Sequence, residues 1–239
     1  MGNQAMGRQG ADGTLPTGTE IVAFHQECLG SPGWPRQAAE AGSGAAGEAT
    51  AAAGAWQWIE ANHRFNSLLW AEEDLARRTR VSDAEIAVNK RNIDRYNQAR
   101  NDATERVDEL LLVALGLVDA ASAAGDAPRS TPAAGARLNS ETAGSMIDRL
   151  SIMALKVHAM RLQTQRTDVD EAHRQASRVK LERLQAQRDD LAGCLDQLLA
   201  DSQAGRAYFK VYRQFKMYND PRFNPVLAAE AAAQAAAKG

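Results

Sequence analysis

From residue 60 to residue 77 the side chains Glu60, His63, Asn66 or Ser67, Trp70, Glu73 or Asp74, and Arg77 recur every three or four positions. On a helix that spacing puts them in one polar stripe. A solvated helix face favours Lys, Glu and Gln and does not ordinarily include a tryptophan. Read as a pocket wall, the stripe supplies a base (His63), carboxylates (Glu60, Glu73, Asp74), an amide (Asn66), a flat apolar platform (Trp70) and a cation (Arg77). The bland alternative is an interhelical hydrogen-bond network with Trp70 half buried. Further along, Asp94, Asn97 or Gln98, Asn101, Glu105 and Asp108 share a second strip. Asn97 and Asn101 are its candidates for completing the pocket. Otherwise the strip is a solvent-facing row with i,i+4 pairs.

Asp148, Arg149 and Lys156 interrupt an otherwise apolar run, and Arg149 and Lys156, seven apart, share a face. Charges on a buried helix must pair or meet an anion. An internal salt bridge to a carboxylate of the preceding helices is one reading. The other is a clamp on a ligand phosphate or carboxylate. Glu60-x-x-His63 and Asp170-x-x-His173 have the spacing of di-iron carboxylate bundles, but such pairs arise easily by chance on charged helices. Asp170 also falls at a helix start, where capping explains it. No metal and no cofactor are expected. Tyr208, Phe209, Tyr212, Phe215, Tyr218 and Phe223 alternate with Lys210, Arg213, Lys216 and Arg222. That mixture can stack on bases or sugars, although docking across an open end of the helices is the favoured reading. Dinucleotide, P-loop, nucleophile-elbow and zinc motifs are missing.

The elements that must position these residues are helices. The sequence predicts an all-α fold, a bundle of four long antiparallel helices with the C-terminal aromatic segment packed on it. The first helix covers residues 55–80, with Trp58, Phe65, Leu68, Leu69 and Leu75 as its apolar stripe. Ser82 and Glu85 form a capping box that opens a second helix of about forty residues. A Pro/Gly-rich loop spans 125–137. The third helix begins near residue 140 and is the most apolar. The fourth covers 169–201, where Leu181, Leu184, Leu191, Leu195 and Leu198 resemble a coiled-coil seam. Three regions follow: a low-complexity, mostly disordered arm over 1–53, a bundle domain over 54–225, and an Ala-rich tail over 226–239. Among 239 residues, 28 basic and 30 acidic side chains leave a net charge of −2, which argues against nucleic acid as a partner. Cys28 and Cys194 suggest no disulfide framework. No signal-like or membrane-spanning apolar stretch is present, and a cytoplasmic location is expected.

Four stretches agree in order with a known family: WQWIEANHRFNSLLWAEEDLARR (56–78), NKRNIDRYNQARND (89–102), GSMIDRLSIMALKVHAM (144–160) and QFKMYNDPRFNP (214–225). Together they resemble the bacterial family catalogued as domain of unknown function 4254. The resemblance implies a helical cytoplasmic protein without an assigned activity, associated with bacterial surface-glycan assembly. DRLSIMALK is also similar to a helix of small proteins encoded near sugar transferases. The combined expectation is a binding or accessory protein for an anionic sugar- or nucleotide-containing ligand, or for a glycan-assembly enzyme. Glu60, His63, Asn66, Trp70, Asp74, Arg77, Asn97, Asn101, Arg149 and Lys156 are its ligand-binding candidates. The alternatives are an enzyme with His63 as base, oriented by Glu60 or Asp74, and a coiled-coil adaptor that forms a homodimer through its fourth helix.

Overall fold

The computed structural model describes residues 14–35, 50–214, 220 and 222–236. They form an all-α structure whose core is shared by helices far apart in sequence. Helix α1 (Gly18–Gly30) opens with a capping box: Glu20 N–H donates to Thr17 Oγ1 (3.2 Å) and Thr17 N–H donates to Glu20 Oε2 (2.8 Å). Its Ile21, His25 and Cys28 recur at helical spacing and are buried. This segment lies within the arm expected to be mostly disordered. It holds because α1 seats on α5 and α6, where a Cβ at Gly18 would come within 2.6 Å of the Ala192 carbonyl oxygen. Only glycine permits that approach, and Gly18 N–H donates to Asp196 Oδ1 at 2.6 Å.

Helix α2 (Ala51–Ala76) begins at Thr50, whose hydroxyl accepts from Ala53 N–H. It buries Ala52, Ala55, Trp56 and Ile59, and then Asn62, His63, Asn66 and Ser67. The buried face therefore turns polar halfway along. The expected apolar stripe of Trp58, Phe65, Leu68 and Leu69 is only half buried, and Leu75 is exposed. Helix α3 (Asp83–Ala114) starts at the predicted capping box of Ser82 and Glu85. It runs 32 residues rather than forty. A left-handed Gly116 (φ 67°) stops it, with Leu117 N–H donating to the Leu112 carbonyl and Gly116 N–H to that of Val113. Contacts from Asn62 to Thr104 and from Asn89 to Glu72 run in opposite senses along the chain, so α2 and α3 form an antiparallel hairpin.

After the short α4 (Ala120–Ala123), strand β1 (Arg137–Leu138) pairs in parallel with β2 (Ala207–Tyr208). This two-residue ladder is invisible to sequence periodicity. Helices α5 (Ala143–Thr164) and α6 (Glu171–Gln203) form the second hairpin, while α7 (Pro225–Ala236) buries none of its residues. Leu191, Leu195 and Leu198 of the proposed seam are buried in the protein's own core beside Leu111, Ile147 and Leu150. From the aromatic segment, Phe209 is fully buried, whereas Tyr212 and Phe223 are about half exposed; Phe215 and Tyr218 lie outside the described residues. Arg213 fastens the segment by donating to Glu105 (3.1 Å), Glu109 and the Ala123 and Gly125 carbonyls. Among the described residues, no helix is long and apolar enough to cross a membrane.

The start of α5 presses on α3. A Cβ at Gly144 would stand 2.5 Å from the Thr104 carbonyl oxygen and 2.9 Å from Asp108 Cγ. Gly144→Ala is therefore expected to push α5 off α3 and lower stability by about 1–3 kcal/mol. In a thermal melt followed by circular dichroism, roughly 2–4 °C is lost per kcal/mol. A melting temperature within 1 °C or so of the wild type would show that the contact yields.

Candidate functional site

The polar half of α2 meets two residues of α5. Asn62 and Asn66 donate from Nδ2 to Asp148 Oδ1 (2.9 and 2.8 Å), and Asn66 Nδ2 also lies 3.0 Å from Ser151 Oγ. His63 Nδ1 is 2.8 Å from the same Ser151 hydroxyl. Two rings from the N-terminal segment stack on His63, with centroids at 4.3 Å for His25 and 5.3 Å for Trp34. Trp34 Nε1 donates to Ser67 Oγ (3.0 Å), which donates to the His63 carbonyl (2.8 Å). His63 is thus sealed, with no exposed surface. Burial pushes its pKa down to about 3, although the nearby His25 carbonyl favours the protonated ring slightly. His25 is held well below the ordinary range by burial and then by the His63 charge, and neither of its nitrogens finds a partner among the described residues. Both rings are neutral at physiological pH.

On the other side of Asn66, a cleft of about 460 Å³ opens between the α2–α3 hairpin and α5. Leu69, Ile93, Ile152 and Leu155 are its apolar surfaces, and Asn66, Trp70, Glu73, Asp74, Arg77, Asn97 and Arg100 are its polar and aromatic ones. Five of the ten sequence candidates meet here: Asn66, Trp70, Asp74, Arg77 and Asn97. Arg77 is engaged by the Glu73 carboxylate at 2.9 Å. Arg100, which the sequence reading missed, donates from Nη2 to Asn101 Oδ1 (2.8 Å) and holds Nη1 3.9 Å from Asp148 Oδ2. Its only signal was its position one turn after Asn97.

The other five candidates lie elsewhere. Glu60 is half buried further back on α2, and His63 is enclosed as described. Asn101 is buried beneath Arg100. Arg149 and Lys156 are exposed on the far side of α5, in a second groove of about 590 Å³ lined also by Met146, Met153, Asp190 and Cys194. Arg149 pairs with Glu141. The expectation that these two cations sit on a buried face fails because α5 buries Met146, Ile147, Leu150, Ala154 and Val157 and turns positions 149 and 156 outward. The charge that α5 does carry inward is Asp148. Asp170, of the second acidic-x-x-His pair, caps α6 by accepting from His173 N–H at 2.7 Å. Among the described residues, no group of three or more His, Cys, Asp and Glu is placed to hold a metal ion.

A family model described as a protein of unknown function (DUF4254) matches residues 56–211. The match reaches from α2 past β2 and leaves out α1, Trp34, the 214–225 stretch and α7. No curated protein and no solved structure matches the chain.

Proposed function

Because the chain belongs to the DUF4254 family, whose description assigns no activity, its function must be read from its own side chains. We propose that it is a binding or accessory protein that takes an anionic, sugar-bearing ligand in the cleft between α2, α3 and α5. The observation that carries this reading is the convergence of Asn66, Trp70, Asp74, Arg77, Asn97 and Arg100 on one concavity beside apolar walls. A few oriented polar groups on an apolar lining are what a small-molecule site requires. Trp70 offers its face to a sugar ring, while the amides and carboxylates suit its hydroxyls. The cytoplasmic location and the link to bacterial surface-glycan assembly belong to this proposal. So does the description of α2, α3, α5 and α6 as one antiparallel bundle.

The enzyme alternative rested on His63. A general base must reach the proton it removes, and His63 is closed off beneath Trp34 and His25. The adaptor alternative loses most of its seam, since Leu191, Leu195 and Leu198 are in the core. What remains for a partner helix is the first half of α6, where Val179 is exposed.

Isothermal titration with UDP-glucose and with D-glucuronate tests the site. Wild-type protein is expected to give a saturable heat with at least one of them. Trp70→Ala is expected to weaken that binding about tenfold, the loss of one aromatic stacking contact, with an unchanged melting temperature. Absence of saturable binding to both probes, or unchanged affinity in Trp70→Ala, would overturn the reading.

A further inference from the structure

Resting on that reading, we infer that the cleft selects a sugar-sized ring bearing a single carboxylate, with Arg100 as its anchor, and disfavours a doubly charged phosphate. The first argument is the charge around the cavity. Glu73, Asp74 and, behind Arg100, Asp148 stand against only Arg77 and Arg100. Carboxylates outnumber guanidinium groups by one, so any anion entering here meets some net repulsion, and a dianion meets about twice that of a monoanion, which a direct contact with Arg100 must outweigh. The two exposed cations read from the sequence as a phosphate clamp, Arg149 and Lys156, are on the other side of α5.

The second argument is which groups are already committed. Arg77 is tied to the Glu73 carboxylate and to the Glu73 carbonyl. Arg100 keeps one terminal nitrogen, Nη1, with no partner among the described residues closer than Asp148 at 3.9 Å. That distance is beyond a hydrogen bond. The other oxygen of Asp148, Oδ1, is held by the amides of Asn62 and Asn66. A planar carboxylate can therefore meet the Arg100 guanidinium edge without displacing an existing bond, the pairing that arginine makes best. Among the described residues, no side chain or backbone group bonds the Asn97 amide or the Asp74 carboxylate. The Asn66 amide is directed inward to Asp148 and Ser151, which leaves its oxygen as an acceptor at the cleft. These groups suit ring hydroxyls. The volume, about 460 Å³, lies toward the smaller end of the roughly 300–1,000 Å³ typical of small-molecule pockets, which favours a single ring over an extended sugar nucleotide.

The test is a calorimetric ranking of D-glucuronate, D-glucose and glucose 1-phosphate on the full chain and on Arg100→Gln. Glucuronate is expected to bind at least tenfold more tightly than glucose, and glucose 1-phosphate no more tightly than glucose. In Arg100→Gln the preference for glucuronate over glucose should be lost, the two sugars binding alike. Preference for the phosphate, or discrimination that survives in Arg100→Gln, would overturn the inference while leaving the cleft a sugar site. Binding of none of the three to the wild type would overturn the inference, and the proposed function with it if UDP-glucose also fails to bind. Should the variant fail to fold, the wild-type ranking decides alone.

Discussion

Between pH 6.5 and 4.5 the wild-type protein is expected to lose stability with a slope of about one proton, and His25→Phe is expected to abolish that slope. His25 and His63 are buried and neutral in the folded state, His63 with a pKa of about 3. In the unfolded chain each would take a proton near pH 6.5. Below that pH the unfolded state binds more protons than the folded one, so stability falls as pH falls; above it, neither histidine contributes a slope. For His63 the shift corresponds to at most about 5 kcal/mol by pH 3, a large part of the 5–15 kcal/mol typical of a domain. Together the histidines account for about two protons. Asp108 works in the opposite sense over the same range by about one proton, because burial raises its pKa to about 7. Exposed carboxylates such as Asp168, lowered to about 2 by Arg166, act at lower pH. Phenylalanine keeps a flat ring against His63 and removes two nitrogens that have no partner, so the variant should fold. Urea midpoints at pH 7.5, 6.5, 5.5 and 4.5, read by circular dichroism, measure both slopes. A wild-type midpoint that does not change with pH, or an identical slope in His25→Phe, would contradict this account.

The same histidines show where sequence reading stops. The long helices and the Ser82–Glu85 cap were legible because capping and periodicity are local. Five residues of the cleft were legible for the same reason, since one helix face carries Asn66, Trp70, Asp74 and Arg77 and a strip of α3 carries Asn97. What faces α2 is not local. Asn62, His63 and Asn66 are buried because Asp148 and Ser151 arrive from more than eighty residues away, and because α1 and Trp34 close over them. A rule that sends Phe65 and Leu68 inward and amides outward then selects the wrong face. Helix α1 had its own signature in Thr17, Glu20, Ile21, His25 and Cys28, hidden by the Gly- and Ala-rich average of the arm. On α5 the reverse occurred. Apolar residues on nearly every side concealed that Ile152 and Met153 are only half buried, and Arg149 and Lys156 were assigned to an interior they do not enter. Arg100 went unnoticed because the Asp148 it faces comes from α5, and the approach of α5 to α3, marked by the Asp108–Gly144 contact, has no trace in the spacing of α3.

That contact carries the last large effect. Asp108 is 4% exposed and accepts from the backbone N–H of Gly144 at 2.6 Å, with Thr142 also bonding it. Burial is the main cause of its raised pKa. Glu105 and Glu109 push the same way, while the Thr142 and Gly144 hydrogen bonds oppose. From about pH 4 to 7 the folded protein keeps a proton that the unfolded chain has released. Stability therefore falls as pH rises through this window and gains nothing back above it. The shift, from 3.8 to about 7, corresponds to at most about 4 kcal/mol. Asparagine keeps an oxygen for the Gly144 N–H and cannot ionise. Asp108→Asn should accordingly be the more stable protein at pH 8, by up to about 4 kcal/mol in urea unfolding. Its advantage should shrink steadily toward pH 4.5, where the wild-type carboxyl is already protonated in the fold. Between pH 6.5 and 4.5 its stability should fall with a slope of about two protons, since only the histidines remain. A variant no more stable than wild type at pH 8, with the wild-type slope in acid, would mean that Asp108 is ionised in the folded protein and that the Gly144 amide is enough to hold its charge.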